Sequence, residues 1–227
     1  NHLRVLIRHG FPVVSNQVVV SMLDQRGLEE MAKVVLENNI KLLAYGVLAG
    51  GFLTEKWLDK PEPANSDLSD WSKMKYKRFI DETGGWGNLQ NILRVLKSVA
   101  QRHGVSIANV ATRWVLDHPA VGAVIVGARL TENQHREDNV AIFSFSLDEE
   151  DRSLIAESVA NNRRLKGDCG DEYREPPFLT ASGDLTHHLD SFPSVYEPIA
   201  VPGKADRIQV FSGTKWEKIC GHSRAVK

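Results

Sequence analysis

Lys41-Leu42-Leu43-Ala44-Tyr45-Gly46-Val47-Leu48-Ala49-Gly50-Gly51-Phe52-Leu53 decides the fold. The run from Ile40 to Tyr45 is apolar almost throughout and too short for a helix of ordinary length, so it reads as a strand buried on both faces. It ends abruptly in a stretch with glycine at 46, 50 and 51. A strand that gives way to glycine marks a place where the backbone must turn tightly or let something approach closely.

Working outward, residues 13 to 20 read Val-Val-Ser-Asn-Gln-Val-Val-Val between Gly10, Pro12 and the polar stretch that follows, and suit a second short strand. Between the two, Leu28, Met31, Ala32 and Val35 form a helical stripe that Asn38 and Asn39 can close. Downstream lies a long polar insertion from Lys56 to Gly87. Leu89, Ile92, Leu93, Leu96 and Ala100 then mark a helix, and Ile107, Val110, Ala111, Trp114 and Val115 mark another after Ser106, stopped by Pro119. Val121 to Val126 is a third strand-like run, closed by Gly127. Thr131-Glu132-Asn133-Gln134 and Ser146-Leu147-Asp148-Glu149 each have the form of a capping box, the second opening a helix with Leu154, Ile155 and Val159. Strands alternating with helices, each strand nearly all apolar, predict an α/β fold with a parallel sheet covered by helices. Short buried helices are the alternative, against which the Val and Ile content and the glycine at strand exits both count.

Composition narrows the function classes. Charged residues are 25% and hydrophobic ones 42% of 227 residues, the balance of a globular chain. No apolar run approaches the ~20 residues of a membrane helix. A net charge of -1 gives no electrostatic reason for nucleic acid or an anionic surface as partner. Cys169 and Cys220 stand far apart and in no metal-ligand spacing, as two thiols of a reducing compartment would. Cys220 and His222 make a tempting pair, but two ligands without a third and fourth do not make a metal site. From Lys166 to Lys204 five prolines accompany Gly, Ser and Asp without either period, and read as an ordered tail or linker. Ile208-Gln209-Val210-Phe211 and the run to Val226 look like the first strands of something new. The chain begins Asn1-His2-Leu3-Arg4 and stops at Arg224-Ala225-Val226-Lys227 within an alternating pattern, so both ends read as cuts; a cytoplasmic location is expected, with an upstream targeting signal left open.

In parallel α/β sheets and barrels ligands bind at the carboxyl ends of the strands, where the loops face one way. Three places qualify. Gln17 puts a primary amide inside an apolar strand, where it must find a partner, either a ligand amide or neighbouring backbone. Tyr45 offers a flat ring at a strand exit, and Gly46, Leu48 and Gly50 lie in a stretch whose N–H groups could approach a phosphate; an ordinary turn beside a core tyrosine would read the same way. Gly127-Ala128-Arg129 precedes a capped helix, a combination suited to phosphate, although most arginines are simply surface residues.

These three places carry a resemblance to the aldo-keto reductases. Val14-Ser15-Asn16-Gln17-Val18 resembles the sixth barrel strand of that family, and residues 41 to 53 its seventh strand and loop. Ala111-Thr112-Arg113-Trp114-Val115-Leu116 is similar to the helix before the eighth strand. Val124-Ile125-Val126-Gly127-Ala128-Arg129-Leu130, then Asp138-Asn139, resembles the last strand and the cofactor helix. The likeness spans roughly residues 1 to 162 and implies the C-terminal portion, about three βα units, of a TIM (β/α)8 barrel that is incomplete in this chain. It implies NADP as cofactor, with NAD as the alternative, and a small-molecule carbonyl substrate. Gln17 would hold the nicotinamide carboxamide and Tyr45 would stack on its ring. The loop from Gly46 to Leu53 would cover the pyrophosphate, Arg129 would face the adenosine ribose or its 2′-phosphate, and Asp138 and Asn139 would contact adenine. His135 departs from the arginine or glutamine that many relatives carry four positions before the asparagine, which weakens a strict NADP preference.

The family's Tyr-Lys-His-Asp acid–base set belongs to the first four strands, none of which matches here, so no catalytic residue is expected. Tyr76, Tyr173 and Tyr196 match no catalytic position. Residues 212 to 226 look like the first strand region of the Rid imine-deaminase family. The expected domains are therefore a partial reductase barrel at 1–165, a linker at 166–204 and the start of a Rid-like domain at 205–227. A fragment of an NAD(P)-dependent carbonyl reductase, a non-catalytic dinucleotide-binding scaffold and an inactive truncation product remain the competing readings, with self-association through the open barrel expected.

Overall fold

The computed structural model describes residues 2–68, 71–127, 135–171, 197–201, 204–211 and 225–226. Two units can be distinguished, Asn1–Glu172 and Tyr173–Lys227.

The first unit is built on three strands, β1 (Ser15–Val19), β2 (Lys41–Tyr45) and β3 (Val121–Ile125), in the order β1-β2-β3. Both pairings are parallel, as the apolar runs predict, with Gln17 beside Leu43, Val19 beside Tyr45 and Tyr45 beside Ile125. Helix α1 (His2–Arg8) precedes β1, and α2 (Glu30–Glu37) connects β1 to β2. Asn38 and then Asn39, at φ 54°, stop α2 where the sequence places its end. The connection from β2 to β3 carries α3 (Trp71–Thr83), α4 (Gly85–His103) and α5 (Ile107–Leu116), and α6 (Arg136–Ala141) and α7 (Glu149–Val159) follow β3.

Side-chain alternation sends the strands to two different cores. Val18, Val20, Leu42 and Ala44 pack with Ala32 and Val35 of α2 and Val115 of α5. Val19 packs on the other side with Phe52, Phe79, Leu89, Ile92 and Leu96, and Tyr45 lies against that cluster. The expectation that both sheet faces are buried holds only in part. Gln17, Ala123 and Ile125, on the Val19–Tyr45 side of their strands, are exposed and Leu43 is half-buried.

Helix α4 buries the Leu89, Ile92, Leu93, Leu96 and Ala100 stripe, and Gly104 ends it in the left-handed region, its N–H directed at Ala100 and Gln101. The polar stretch from Lys56 to Gly87 contains an element the sequence reading did not place, α3. Its Tyr76, Phe79, Ile80 and Thr83 recur at helical spacing and are all buried. Among them Lys77 is held between Glu62 and Asp81 at 2.6 Å each. Burial acts to lower its pKa, but the two carboxylates outweigh that and hold the ammonium above its ordinary range.

One helix start differs from expectation. The capping box falls two residues later than Ser146: Asp148 is the N-cap of α7, accepting from Asp151 N–H at 2.8 Å, while the Asp151 side chain accepts from Asp148 N–H at 3.1 Å. Asp at the cap completes the same reciprocal pair without Ser146, which is exposed. The box expected at 131–134 lies outside the described residues, and the described part of the next helix opens at Arg136.

Residues 162–171 belong with the first unit. Arg26 pairs with Asp24 at 2.8 Å, both side chains buried, and donates from Nη1 to the carbonyls of Lys166 and Asp168 at 3.1 and 2.9 Å. Asn162 donates to the Met22 carbonyl at 2.9 Å, and Arg163 to that of Glu82 at 3.1 Å.

The second unit is an antiparallel sheet of β4 (Glu197–Val201), β5 (Lys204–Phe211) and β6 (Ala225–Val226) in that order. Glu197 pairs with Phe211 and Gln209 with Val226.

Candidate functional site

Gln17 and Tyr45 are brought together by strand register. Gln17 sits two residues before Val19, the partner of Tyr45, so both project from the same side of adjacent parallel strands. Gln17 is exposed and Tyr45 half-buried. A planar ring with an amide beside it on an open sheet face suits a flat heteroaromatic bearing a carboxamide.

Beyond Tyr45 the chain turns at Gly46, φ 68°, and Gly50, φ 65°. Ala49 N–H donates to the Gly46 carbonyl at 2.8 Å, and those of Gly51 and Leu53 to Leu48 at 2.9 and 3.1 Å, so the loop closes on itself around a half-buried Leu48. The missing Cβ atoms are used by α3. The Tyr76 phenol lies where a Cβ on Gly46 would stand, and its ring where one on Gly50 would stand. Lys75, 4% exposed, places Nζ 5.7 Å from the centre of the Tyr45 ring and 5.2 and 5.3 Å from those of Tyr76 and Phe79. Lys75 and Tyr76 are the site neighbours that sequence reasoning missed; the spacing of Tyr76, Phe79, Ile80 and Thr83 is the signal that could have found them.

The third place is partly described. Gly127 is exposed at the end of β3, and Arg129 lies outside the described residues. His135 is exposed at φ 50° and precedes α6, which carries Asp138 and Asn139, both half-buried. The side chain of Asn109 in α5 donates to the Asp138 carbonyl at 2.8 Å and fixes α6 there.

The residues present fit a dinucleotide at the ring end, where Gln17 and Tyr45 share an open face. At the loop, the Gly46 and Gly50 surfaces are in contact with Tyr76. A separate group, His103, Asp148 and Asp151, brings ligand atoms within 4.8 Å of one another. Arg102 already supplies the positive charge there, reaching Asp148 and Glu150 at 2.9 Å and Asp151 at 3.3 Å, and Asp151 also takes His103 at 2.7 Å. That group holds α4 to the start of α7.

Three parallel strands with helical crossovers and candidate ligand residues at the strand exits make up a portion of a (β/α)8 barrel. The chain belongs to the aldo/keto reductase family, whose model matches residues 3–160. It is 34% identical to flagellar radial spoke protein 5 of Chlamydomonas reinhardtii over 119 residues, covering 52% of this chain and 22% of that protein. It is 25% identical to aldo-keto reductase YhdN of Bacillus subtilis over 167 residues, 73% of this chain and 47% of the relative. Among solved structures, the glycerol dehydrogenase of Gluconobacter oxydans superposes with a TM-score of 0.59 at 21% identity over 74% of this chain and 48% of the other, a likeness of fold. The chain thus spans less than half the length of these relatives. No helix among the described residues is long and apolar enough to cross a membrane.

Proposed function

We propose that this chain is the dinucleotide-holding part of an NAD(P)-dependent oxidoreductase that reduces a small-molecule carbonyl. The observation that carries it is the placing of exposed Gln17 and half-buried Tyr45 on the same side of adjacent strands. The nicotinamide, when bound, supplies the hydride. Gln17 offers a donor and an acceptor to its carboxamide, and Tyr45 holds the ring by stacking. The loop of Gly46, Leu48 and Gly50 borders the pyrophosphate from the sides that Tyr76 does not fill, and Gly127, Arg129, His135, Asp138 and Asn139 serve the adenosine half. NADP is preferred through the charge of Arg129, with NAD as the alternative because His135 replaces the usual arginine or glutamine. Titration of NADPH into the chain tests this: Tyr45→Ala should weaken binding about tenfold if the ring stacks on the nicotinamide. Equal affinity in both would remove Tyr45 from the site. Arg129→Ala should cost about 1–3 kcal/mol against NADPH and much less against NADH.

On the reading that the family's Tyr-Lys-His-Asp set lies on strands this chain does not match, the proton donor that a hydride transfer needs within reach of the carbonyl oxygen comes from elsewhere. The chain alone should therefore show no NAD(P)H-dependent carbonyl reduction above background. Steady turnover of a simple aldehyde that disappears in Tyr45→Ala would overturn that. The residues from 205 on are proposed as the start of a Rid-like domain. A second reading, a non-catalytic binding or scaffold protein, draws on the relative named as a flagellar radial spoke protein. Dinucleotide binding without turnover in the whole protein would favour it.

A further inference from the structure

The first turn of α5 bonds to α6 at the adenine end of the proposed dinucleotide site and to Glu55 just after its pyrophosphate loop. Ser106 caps it, accepting from Asn109 N–H at 3.1 Å while Asn109 Oδ1 accepts from Ser106 N–H at 3.3 Å. That reciprocal box uses only the oxygen of the Asn109 amide. The nitrogen points the other way and donates to the Asp138 carbonyl of α6 at 2.8 Å. Asn109 is 2% exposed, so its own amide is shielded from water, and leaving one of its bonds unmade is costly. From the opposite side, Glu55 Oε1 accepts from the next N–H of the turn, Ile107, at 2.6 Å. Glu55 follows directly on the loop that runs from Gly46 to Leu53 and Thr54.

We infer that the first turn of α5 is the common anchor of the two halves of the dinucleotide site, with Asn109 the positioning residue for the adenine end and Glu55 the positioning residue for the pyrophosphate loop. The inference rests on the dinucleotide reading above. Neither side chain touches the ligand. A helix terminus is rigid, and two segments bonded to its first turn, one by accepting from the Ile107 N–H and the other by accepting from the Asn109 side chain, are held relative to each other. Asparagine is required at 109 because it must accept and donate at once, and serine at 106 could cap equally well over an aspartate. A cap alone explains the oxygen of Asn109 but leaves its nitrogen bond to α6 without a purpose.

The test uses the whole chain and two half-ligands, adenosine 2′,5′-bisphosphate and nicotinamide mononucleotide, with amide hydrogen exchange of residues 136–141 read in the ligand-free protein. Asn109→Asp keeps the cap and loses the donor. It should lower protection across α6 and weaken the bisphosphate about five- to tenfold, leaving the mononucleotide within about twofold. Glu55→Ala should weaken NADPH and leave the bisphosphate within about twofold. Asp148→Ala, which uncaps α7 where Asp148 bonds Asp151 and Arg102, serves as the destabilised control and should change no affinity. Unchanged α6 protection in Asn109→Asp overturns the anchor whether or not a dinucleotide binds. Protection lost, but no saturable signal from NADPH or the bisphosphate in the wild type, overturns the dinucleotide reading and the positioning role with it. Equal loss of both half-ligands in Asn109→Asp and in the control would reduce Asn109 to a stability effect and overturn the inference.

Discussion

Gly46 meets two demands at once, a backbone at φ 68° and a tyrosine ring against its Cα. Alanine there would carry about 1–2 kcal/mol of left-handed strain before any contact is considered, and it would also press on the phenol of Tyr76. Gly46→Ala should therefore lower the melting temperature by several degrees, and adding Tyr76→Phe should return part of the loss by removing the hydroxyl. A double mutant no better than the single would show that the contact is not what limits the site. His118 makes a second prediction. Burial holds its pKa below the ordinary imidazole range, and its Nδ1 accepts from Ala120 N–H at 3.2 Å, a bond that needs the neutral ring. The folded pKa is depressed, so its contribution is complete above the unfolded value of ~6.5 and is lost as pH falls toward the folded one. Denaturant titrations at pH 7.5 and 5.5 should show a decline that shrinks in His118→Gln. At this scale Gln17, Tyr45 and Gly46 were legible because each is a residue type out of place in an apolar run. Lys75 and Tyr76 were not, since a residue's partner on a distant helix leaves no mark beside it.

The helices divide in the same way. Those read correctly from sequence, α2, α4 and α5, carry apolar stripes between which no charge, such as Lys33, Arg94 or Arg113, is buried. Helix α3 keeps its stripe at Tyr76, Phe79, Ile80 and Thr83, but Lys73, Lys75, Lys77 and Arg78 are threaded through it and lower the apparent hydrophobicity. What covers these charges is tertiary, Glu62 for Lys77 and aromatic rings for Lys75. The sequence puts the start of α7 two residues early because Ser146 and Glu149 satisfy the capping pattern as well as Asp148 and Asp151 do; burial of Asp151 decides between them, and burial is not written in four residues. Asp148→Ala should lower the midpoint of chemical denaturation measurably, whereas Ser146→Ala should be close to neutral. The reverse order would restore the earlier cap.

For the first unit as a whole, the parallel order of three strands followed from their apolar runs and helical crossovers. The openness of one face followed from the resemblance to an incomplete barrel rather than from the strands themselves, because strand composition reports what a strand prefers and not what is present to cover it. Val5, Leu6, Phe11, Val14 and Ile125 are exposed, and β1 and β3 are edge strands of their sheet. Such edges and apolar surface favour association, so the chain should sediment above its monomer mass of 25.3 kDa. A monodisperse monomer with a sharp calorimetric transition would count against this. The clasp at Arg26 has a consequence in time. Its carbonyl partners lie 140 and 142 residues further along. A ribosome adding roughly 5–20 residues per second delays those two bonds by about 7–30 seconds, while the pairing with Asp24 is local. Throughout that interval the exit of the first strand is a nascent-chain surface waiting for its seal, and a stall before Lys166 would hold it open to chaperones and proteases.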